Sequence, residues 1–461
     1  MKNEKSLLPI AFVNRHPDPR LQATWNYAQI GLLALPLIPF VGILVLLFAC
    51  GQTWRQQYRR ILGRPLNWGL AILSVWLVIT CSFAYDRSVA FLGLFNFLPY
   101  FFVFAGYSTL IQTPAQLRQW ASILVVTSVP VVVIGLGQIF WGWAGHLQFL
   151  WVVLDWPIEP TGNPPGRMSS IFMYANTLAG YLIIVFSLGL GLWIEAYQTL
   201  VSTLQRGRHP RHVSNTAWRR WGFLSVVLIG NLVALILTDS RNAWVIAVFV
   251  ALAFAVYQGW RWLVAGVAGI AGTILVAAFG PSPVQQWLRA VVPAFFWARL
   301  TDQLYPDRPL ATLRTTQWQF AGSMAQQRPW TGWGLRNFTP LYEAQMHIWL
   351  GHPHNFLLML AAETGIPFAI LFCSWVIWVA LQSVQLLRDW SIASDSRWQL
   401  AQDKLIFFSY LIAVISCIFF NTVDVTLFDA RLNSLGWLVL SAICGVVYNR
   451  RGNAYTSNFK S

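Results

Sequence analysis

Ten stretches of this chain are apolar over roughly the length of a bilayer crossing, near 66–83, 89–111, 121–142, 175–197, 222–238, 243–258, 263–280, 356–382, 405–421 and 434–449. A span needs about 20 apolar residues to cross about 30 Å of hydrocarbon, and only a helix satisfies its own backbone there without a closed barrel. One further stretch, Arg20 to Trp54, carries Pro36 and Pro39. Two prolines three apart break a single helix, so this stretch reads as two short spans. The sequence therefore predicts an all-α, polytopic membrane protein with about twelve transmembrane helices and both termini on one side.

Composition agrees. Hydrophobic residues make up 56% of the chain and charged residues 10%, whereas a soluble domain carries about a quarter charged residues to wet its surface. The 26 Trp and 14 Tyr suit bilayer interfaces. A net charge of +15 raises nucleic acid as a partner, but the densest basic runs, Arg55 to Arg64 and Arg206 to Arg220, lie in short loops between apolar spans. That is the positive-inside pattern of a membrane protein, so no nucleic-acid partner is expected. Of the 31 Lys and Arg, 21 fall on the side that holds both termini. That side is expected to be cytoplasmic and the membrane to be the cell inner membrane. The first 20 residues are polar and charged and do not read as a cleavable signal peptide. Cys50, Cys81, Cys373, Cys417 and Cys444 all lie in or beside apolar spans and read as packing residues.

The chain divides into a helical block (1–280), one large outer loop (281–355) and a final block with a cytoplasmic tail (356–461). Within the loop, Asp307 is a candidate N-cap, with Pro309 in the first turn and Leu310, Leu313 and Trp318 on one face of a helix. Gly332 and Gly334 mark a turn. A second outer segment, about 143 to 174, runs through several prolines.

The outer side collects polar groups at helix ends. Arg167 precedes a span in GNPPGRMSSIFMYAN, and Arg241 lies in the tight crossing TDSRNAW. Arg314 sits on the loop helix, and His352 and His354 open the next span in GHPHNF, with Asn355 directly after. Interfacial arginines can simply snorkel to headgroup phosphates. Together, however, three guanidinium groups and a histidine suit a substrate with a phosphorylated headgroup and a lipid tail, since guanidinium matches phosphate bidentately and histidine accepts a proton near neutral pH. Pro353 separates the two histidines, and His354 leads into the helix, so His354 is the better-placed proton acceptor. Glu363 lies nine residues further on, about 13 Å along a continuous helix, where a carboxylate normally faces a bundle interior. No Asp/Glu/His set has metal-ligand spacing and no Gly-Lys phosphate loop is present, so neither a metal, a cofactor nor a nucleotide is expected.

From about Gly162 to Phe368 the sequence resembles the bacterial O-antigen ligase and polymerase family. The likeness is carried by GRMSSIFMYANTLAGYL, TDSRNAW, LRTTQWQFAGSMAQQRPWTGWGLRNF and HNFLLMLAAETG, in that order. Phe368 stands where the ligase signature has a second Gly, and Ala175-Asn176 where the family has Pro-Asn. The resemblance implies a metal-independent, inverting membrane glycosyltransferase of the GT-C type. Its donor would be a glycan on undecaprenyl pyrophosphate, and its acceptor a hydroxyl of lipid A core, glycan or protein at the periplasmic face. On that pattern His354 assists the acceptor hydroxyl, and Arg241, Arg314 and Arg167 hold the pyrophosphate, with Asn355 and Glu363 in support. An exopolysaccharide or O-antigen polymerase of the same family, and a bicarbonate-type transporter, are the alternatives.

Overall fold

The computed structural model describes residues 15–150, 154–205, 211–301, 309–390 and 397–458. The stretch from Arg20 to Trp54 forms the two helices expected of its prolines, α1 (Gln22–Ala34) and α2 (Pro39–Leu62). Pro39 sits in the first turn of α2, where its missing N–H costs no intrahelical bond. The pair is close: a Cβ on Gly42 would lie 2.4 Å from the Leu35 Cα, the kind of approach small residues permit between membrane helices. The hairpin crosses the bundle and returns. His16 Nε2, ahead of α1, donates to the Leu110 carbonyl (2.9 Å), and Arg64, just past α2, donates to the Ser108 carbonyl (2.8 Å). Between them, the turn at Leu37 accepts from the Trp156 indole at the opposite end (2.7 Å).

The chain continues through α3 (Pro65–Ser82), α4 (Arg87–Gly93), α5 (Leu98–Leu110) and α6 (Pro114–Phe140). A two-stranded antiparallel hairpin follows, β1 (Gly145–Phe149) and β2 (Leu154–Ile158), with Gly145 opposite Ile158. This hairpin is the one non-helical element among the described residues, and it occupies the proline-bearing segment that follows α6. Next come α7 (Ala175–Gln205), α8 (Arg211–Leu237), α9 (Arg241–Gln258) and α10 (Arg261–Phe279). Ten helical segments are long and apolar enough to cross a membrane, and they overlap the ten stretches read from the sequence. Among the described residues, the α1–α2 hairpin adds two helices to these ten.

The large loop holds α11 (Val284–Val291), α12 (Ala294–Leu300), α13 (Arg314–Gln327) and α14 (Phe338–Met346). Here the sequence reading needs correction. Asp307 lies outside the described residues, and the helix expected from Pro309 starts only at Arg314, after a 3-10 turn at Leu310–Thr312. Leu310 is exposed, and the buried face of α13 is Gln317, Ala321, Met324 and Ala325. That is an i, i+4, i+7, i+8 stripe in which small residues replace the expected large ones. Gly332 and Gly334 do form a turn, both at positive φ.

The expected long helix from 356 is also broken, into α15 (Phe356–Thr364) and α16 (Ile366–Asp389). The hinge is Gly365, at φ 84°, and a Cβ there would meet the Trp330 carbonyl oxygen at 2.4 Å. Pro367 then sits in the first turn of α16. Glycine followed by X-Pro is a break signal, but the long apolar runs on either side masked it. The chain ends with α17 (Arg397–Asn421) and α18 (Ala430–Asn458).

Burial locates the centre. The spans of α18 and α7 are 89% and 83% buried, whereas that of α10 is 11% buried and lies at the periphery. At one end of the bundle Arg118 bridges Glu195 (2.6 Å) and Asp403 (3.1 Å), while Arg220 reaches the other Glu195 oxygen (3.1 Å). This clasp ties α6, α7, α8 and α17 together. Asn449 joins the same end by donating to the Gln112 carbonyl (3.1 Å). The opposite end carries the large loop.

Candidate active site at the loop end of the bundle

Asn355 is the N-cap of α15, its side-chain oxygen accepting from the Leu358 N–H (3.0 Å). Its role in the structure is thus to start the helix that follows His354. The preceding residues do not stack on that helix. His354 adopts φ 50°, which folds the His-Pro-His segment back so that the two imidazole rings lie 4.4 Å apart. Pro353 separates the two histidines in sequence and neither lies on a helix, yet their rings meet. A left-handed residue is strained for anything but Gly, Asn or Asp, and such strain persists where surrounding contacts enforce it.

The enforcing contact is Asp424, in the turn between α17 and α18. His354 Nδ1 lies 3.1 Å from Asp424 Oδ1, which also accepts from the Val425 N–H (2.9 Å). The other carboxylate oxygen accepts from Asn176 Nδ2 (2.7 Å), and Asn176 Oδ1 accepts from Arg167 Nη2 (2.6 Å). Arg167 Nε donates to the Thr238 carbonyl (2.9 Å) in the crossing before α9. A continuous hydrogen-bonded chain therefore runs from His354 through Asp424 and Asn176 to Arg167. Asn242, next to Arg241, reaches the Val423 carbonyl (3.4 Å), so the first turn of α9 is pinned beside Asp424. Arg314 opens α13, and its positive charge is felt at His352.

Burial would raise the carboxyl pKa of Asp424, but the hydrogen bond and charge of His354, the charge of His352 and the Val425 N–H outweigh it and hold Asp424 ionised well below the usual carboxylate range. His352 goes the other way. Burial, with the charges of His354 and Arg314, pushes its pKa down to about 4 against the pull of Asp424. The His354 N–H donates to His352 Nδ1 (3.1 Å), so in the neutral ring the proton sits on Nε2. His352 is thus a neutral prop whose ring stacks on Phe428 at 5.8 Å.

His352, His354 and Asp424 bring three potential metal-ligand atoms within 4.8 Å of one another, a cluster that sequence spacing did not reveal. The hydrogen bonds suit a different use. Asp424 Oδ1 already accepts twice and Oδ2 once, and His352 Nδ1 is taken by the His354 N–H. With Nδ1 turned to Asp424, His354 keeps Nε2 for a substrate, which is the logic of an oriented general base.

Glu363 is not in this constellation. It ends α15, where its side chain accepts from the Phe338 N–H (3.2 Å), and its carbonyl accepts from the Gly334 N–H (2.8 Å). It anchors the large loop to α15. Burial raises its pKa to about 7 despite the Phe338 and Arg336 N–H groups and the Arg336 charge. A carboxyl with a raised folded pKa favours the native state below its unfolded pKa and loses that advantage as pH rises to the folded value. Thermal stability should therefore fall between about pH 4.5 and pH 7 by on the order of 3 kcal/mol on this account, and Glu363→Gln should flatten that slope. Melting curves across that range check it, and an unchanged slope in the variant would refute it.

Residues 226–373 match the family model described as O-antigen ligase. Over these residues the chain is similar to the O-antigen ligase family. The matched stretch takes in Arg241, Arg314, His352, His354 and Glu363. Arg167, Asn176 and Asp424 lie outside the matched residues and meet the domain only in the folded bundle. A search of curated proteins gives no match to the chain. The fold is a helical, polytopic membrane architecture, and its likeness to O-antigen ligases lies in residues 226–373. Sequence reasoning missed Asp424, Asn176 and Arg336, whose guanidinium lies 5.9 Å from the Phe428 ring. The one available signal for Asp424 was an acidic side chain in a very short turn between spans, where burial is costly without a partner.

Proposed function

We propose that this chain transfers a glycan from undecaprenyl pyrophosphate to an acceptor hydroxyl of lipid A core, another glycan or a protein, at the outer face of the cytoplasmic membrane. The observation that carries this reading is an Asp-oriented histidine on an arginine-bearing rim, directly beside an apolar cavity of about 310 Å³. Phe356, Leu357, Asn421 and Thr426 line the cavity near the rim, and Ile377, Val414 and Leu440 line its depth. A lipid tail fits such a wall and a charged headgroup fits such a rim. The excess of Lys and Arg at the clasp end supports a cytoplasmic position for both termini, leaving the site periplasmic.

In this mechanism His354 Nε2 takes the proton of the acceptor hydroxyl while the acceptor oxygen bonds to the anomeric carbon. The bond from that carbon to the phosphate oxygen breaks, and its electron pair leaves with undecaprenyl pyrophosphate. A single displacement of this kind inverts the anomeric centre. Arg241 and Arg314, each the first residue of a helix, offer guanidinium charge alongside helix N-termini to the departing pyrophosphate. Arg167, locked to Asn176 and Thr238, positions the Asp424 side of the site. The transporter alternative calls for polar groups near the midplane, whereas here they gather at one end and the cavity is apolar.

Arg241→Lys and Arg314→Lys test the phosphate role, since lysine keeps charge but loses the bidentate fork. Each should lower transfer by about 30- to 1000-fold, the equivalent of about 2–4 kcal/mol in a dry site. Transfer from lipid-pyrophosphate glycan by purified protein is the measurement, and wild-type rates in both variants would remove these residues from the mechanism.

A further inference from the structure

At the same end of the bundle, Phe83, Tyr85 and Arg87 in the turn from α3 to α4 face Gln327, Arg328 and Trp330 across a surface cleft of about 660 Å³. Its rings stand in the open, with Phe83 56%, Tyr85 60% and Trp330 73% exposed. Among the described residues, two guanidinium groups share the cleft and no acidic side chain lines it. The two walls are fastened to each other. Arg328 Nη1 donates to the Phe83 carbonyl (3.0 Å), the Tyr85 N–H donates to the Trp333 carbonyl (2.8 Å), and the Asp86 N–H donates to Asn337 Oδ1 (2.9 Å). The Arg328 guanidinium also lies 4.0 Å from the Trp333 ring. The cleft is therefore preformed.

It is also coupled to the candidate site. Helix α13 begins at Arg314, beside His352, and ends at Gln327 in the cleft wall. Helix α15 begins just past His354 and ends at Gly365, packed on the Trp330 carbonyl. The two helices run side by side in the same direction, so the cleft lies one helix length from His354, about 13 Å along the nine residues of α15.

We propose that this cleft binds an acidic sugar segment of the glycan chain, a few residues away from its reacting end. A pyranose presents an apolar C–H face, which suits open aromatic platforms, and a carboxylate or sulfate, which suits paired guanidinium donors. Rings that only anchor a helix in the headgroup layer have no need of a shared, preformed cleft with two arginines. The proposal rests on the glycan-transfer reading for its biological meaning, but its test is direct binding.

Full-length protein in phosphatidylcholine nanodiscs would be titrated calorimetrically with tetragalacturonate, with maltotetraose as the neutral control. Tetragalacturonate is expected to bind at least about tenfold more tightly than maltotetraose. Trp330→Ala and Arg87→Gln, both at exposed positions, should each weaken it about tenfold or more. His354→Ala should bind it like wild type, so a dead transfer assay would not mask the result. Absence of tetragalacturonate binding to wild type, or equal binding by both cleft variants, overturns the proposal. So does loss of co-purifying phosphatidylglycerol in those variants with tetragalacturonate binding intact, which would make the cleft a lipid-headgroup site.

Discussion

His354→Ala is expected to lower glycan transfer by about 10²–10⁴-fold, the usual share of general acid–base catalysis. The variant should insert and purify normally, because His354 is half-buried at the rim and its ring bonds only Asp424 among the contacts described above. His352→Ala should cost no more than about tenfold, the loss of one neutral hydrogen bond to the His354 backbone and a ring contact. Both belong in one experiment, with purified protein, a lipid-pyrophosphate glycan donor and added chelator. Because the hydrogen bonds of the three-residue cluster are already committed within the protein, wild-type transfer should survive the chelator. An active His354→Ala beside a dead His352→Ala would reverse the roles, and loss of wild-type activity on chelation would turn the cluster into a metal site.

Asp424→Asn is the second large effect, expected to cost at least about 10²-fold in kcat. The substitution preserves shape but leaves the amide no satisfactory orientation. If its nitrogen faces His354, it donates to Nδ1 and moves the imidazole proton to Nε2, which removes the base. If it faces Asn176, donor meets donor, and a compensating flip of Asn176 would present its own amide nitrogen to Arg167. Wild-type kcat in the variant would show that Asp424 serves only packing.

These two experiments separate what is local from what is not. His354 was legible because it sits in one contiguous stretch, GHPHNFLLMLAAETG, that leads into an apolar helix. Arg167, Arg241 and Arg314 were legible for the same reason, each at the edge of an element. Asp424 was not. It lies 70 residues from His354 in sequence, and Asn176 lies 248 residues from Asp424. No periodicity or spacing links positions on separate spans.

Glu363 shows the reverse error. Sequence placed it deep in a continuous helix, but Gly365 and Pro367 break that helix directly after it. Its carboxyl therefore meets the large loop instead of the bundle interior. The small-residue face of α13 was likewise missed because it packs against α15 rather than against a hydrocarbon core, so its signal is close approach and not hydrophobicity.

Sequence by itself determined the solvent, the helical class, ten apolar spans and the end of the bundle where the polar chemistry collects. Those properties follow from hydrocarbon's intolerance of unpaired backbone and charge, which acts on each segment independently. Only the tertiary structure decided which side chains meet: the Asp424 partner of His354, the prop role of His352, the anchoring role of Glu363, and the cleft between Arg87 and Trp330. Each of those depends on two segments brought together by packing, and packing is a property of pairs of elements that no single stretch of sequence encodes.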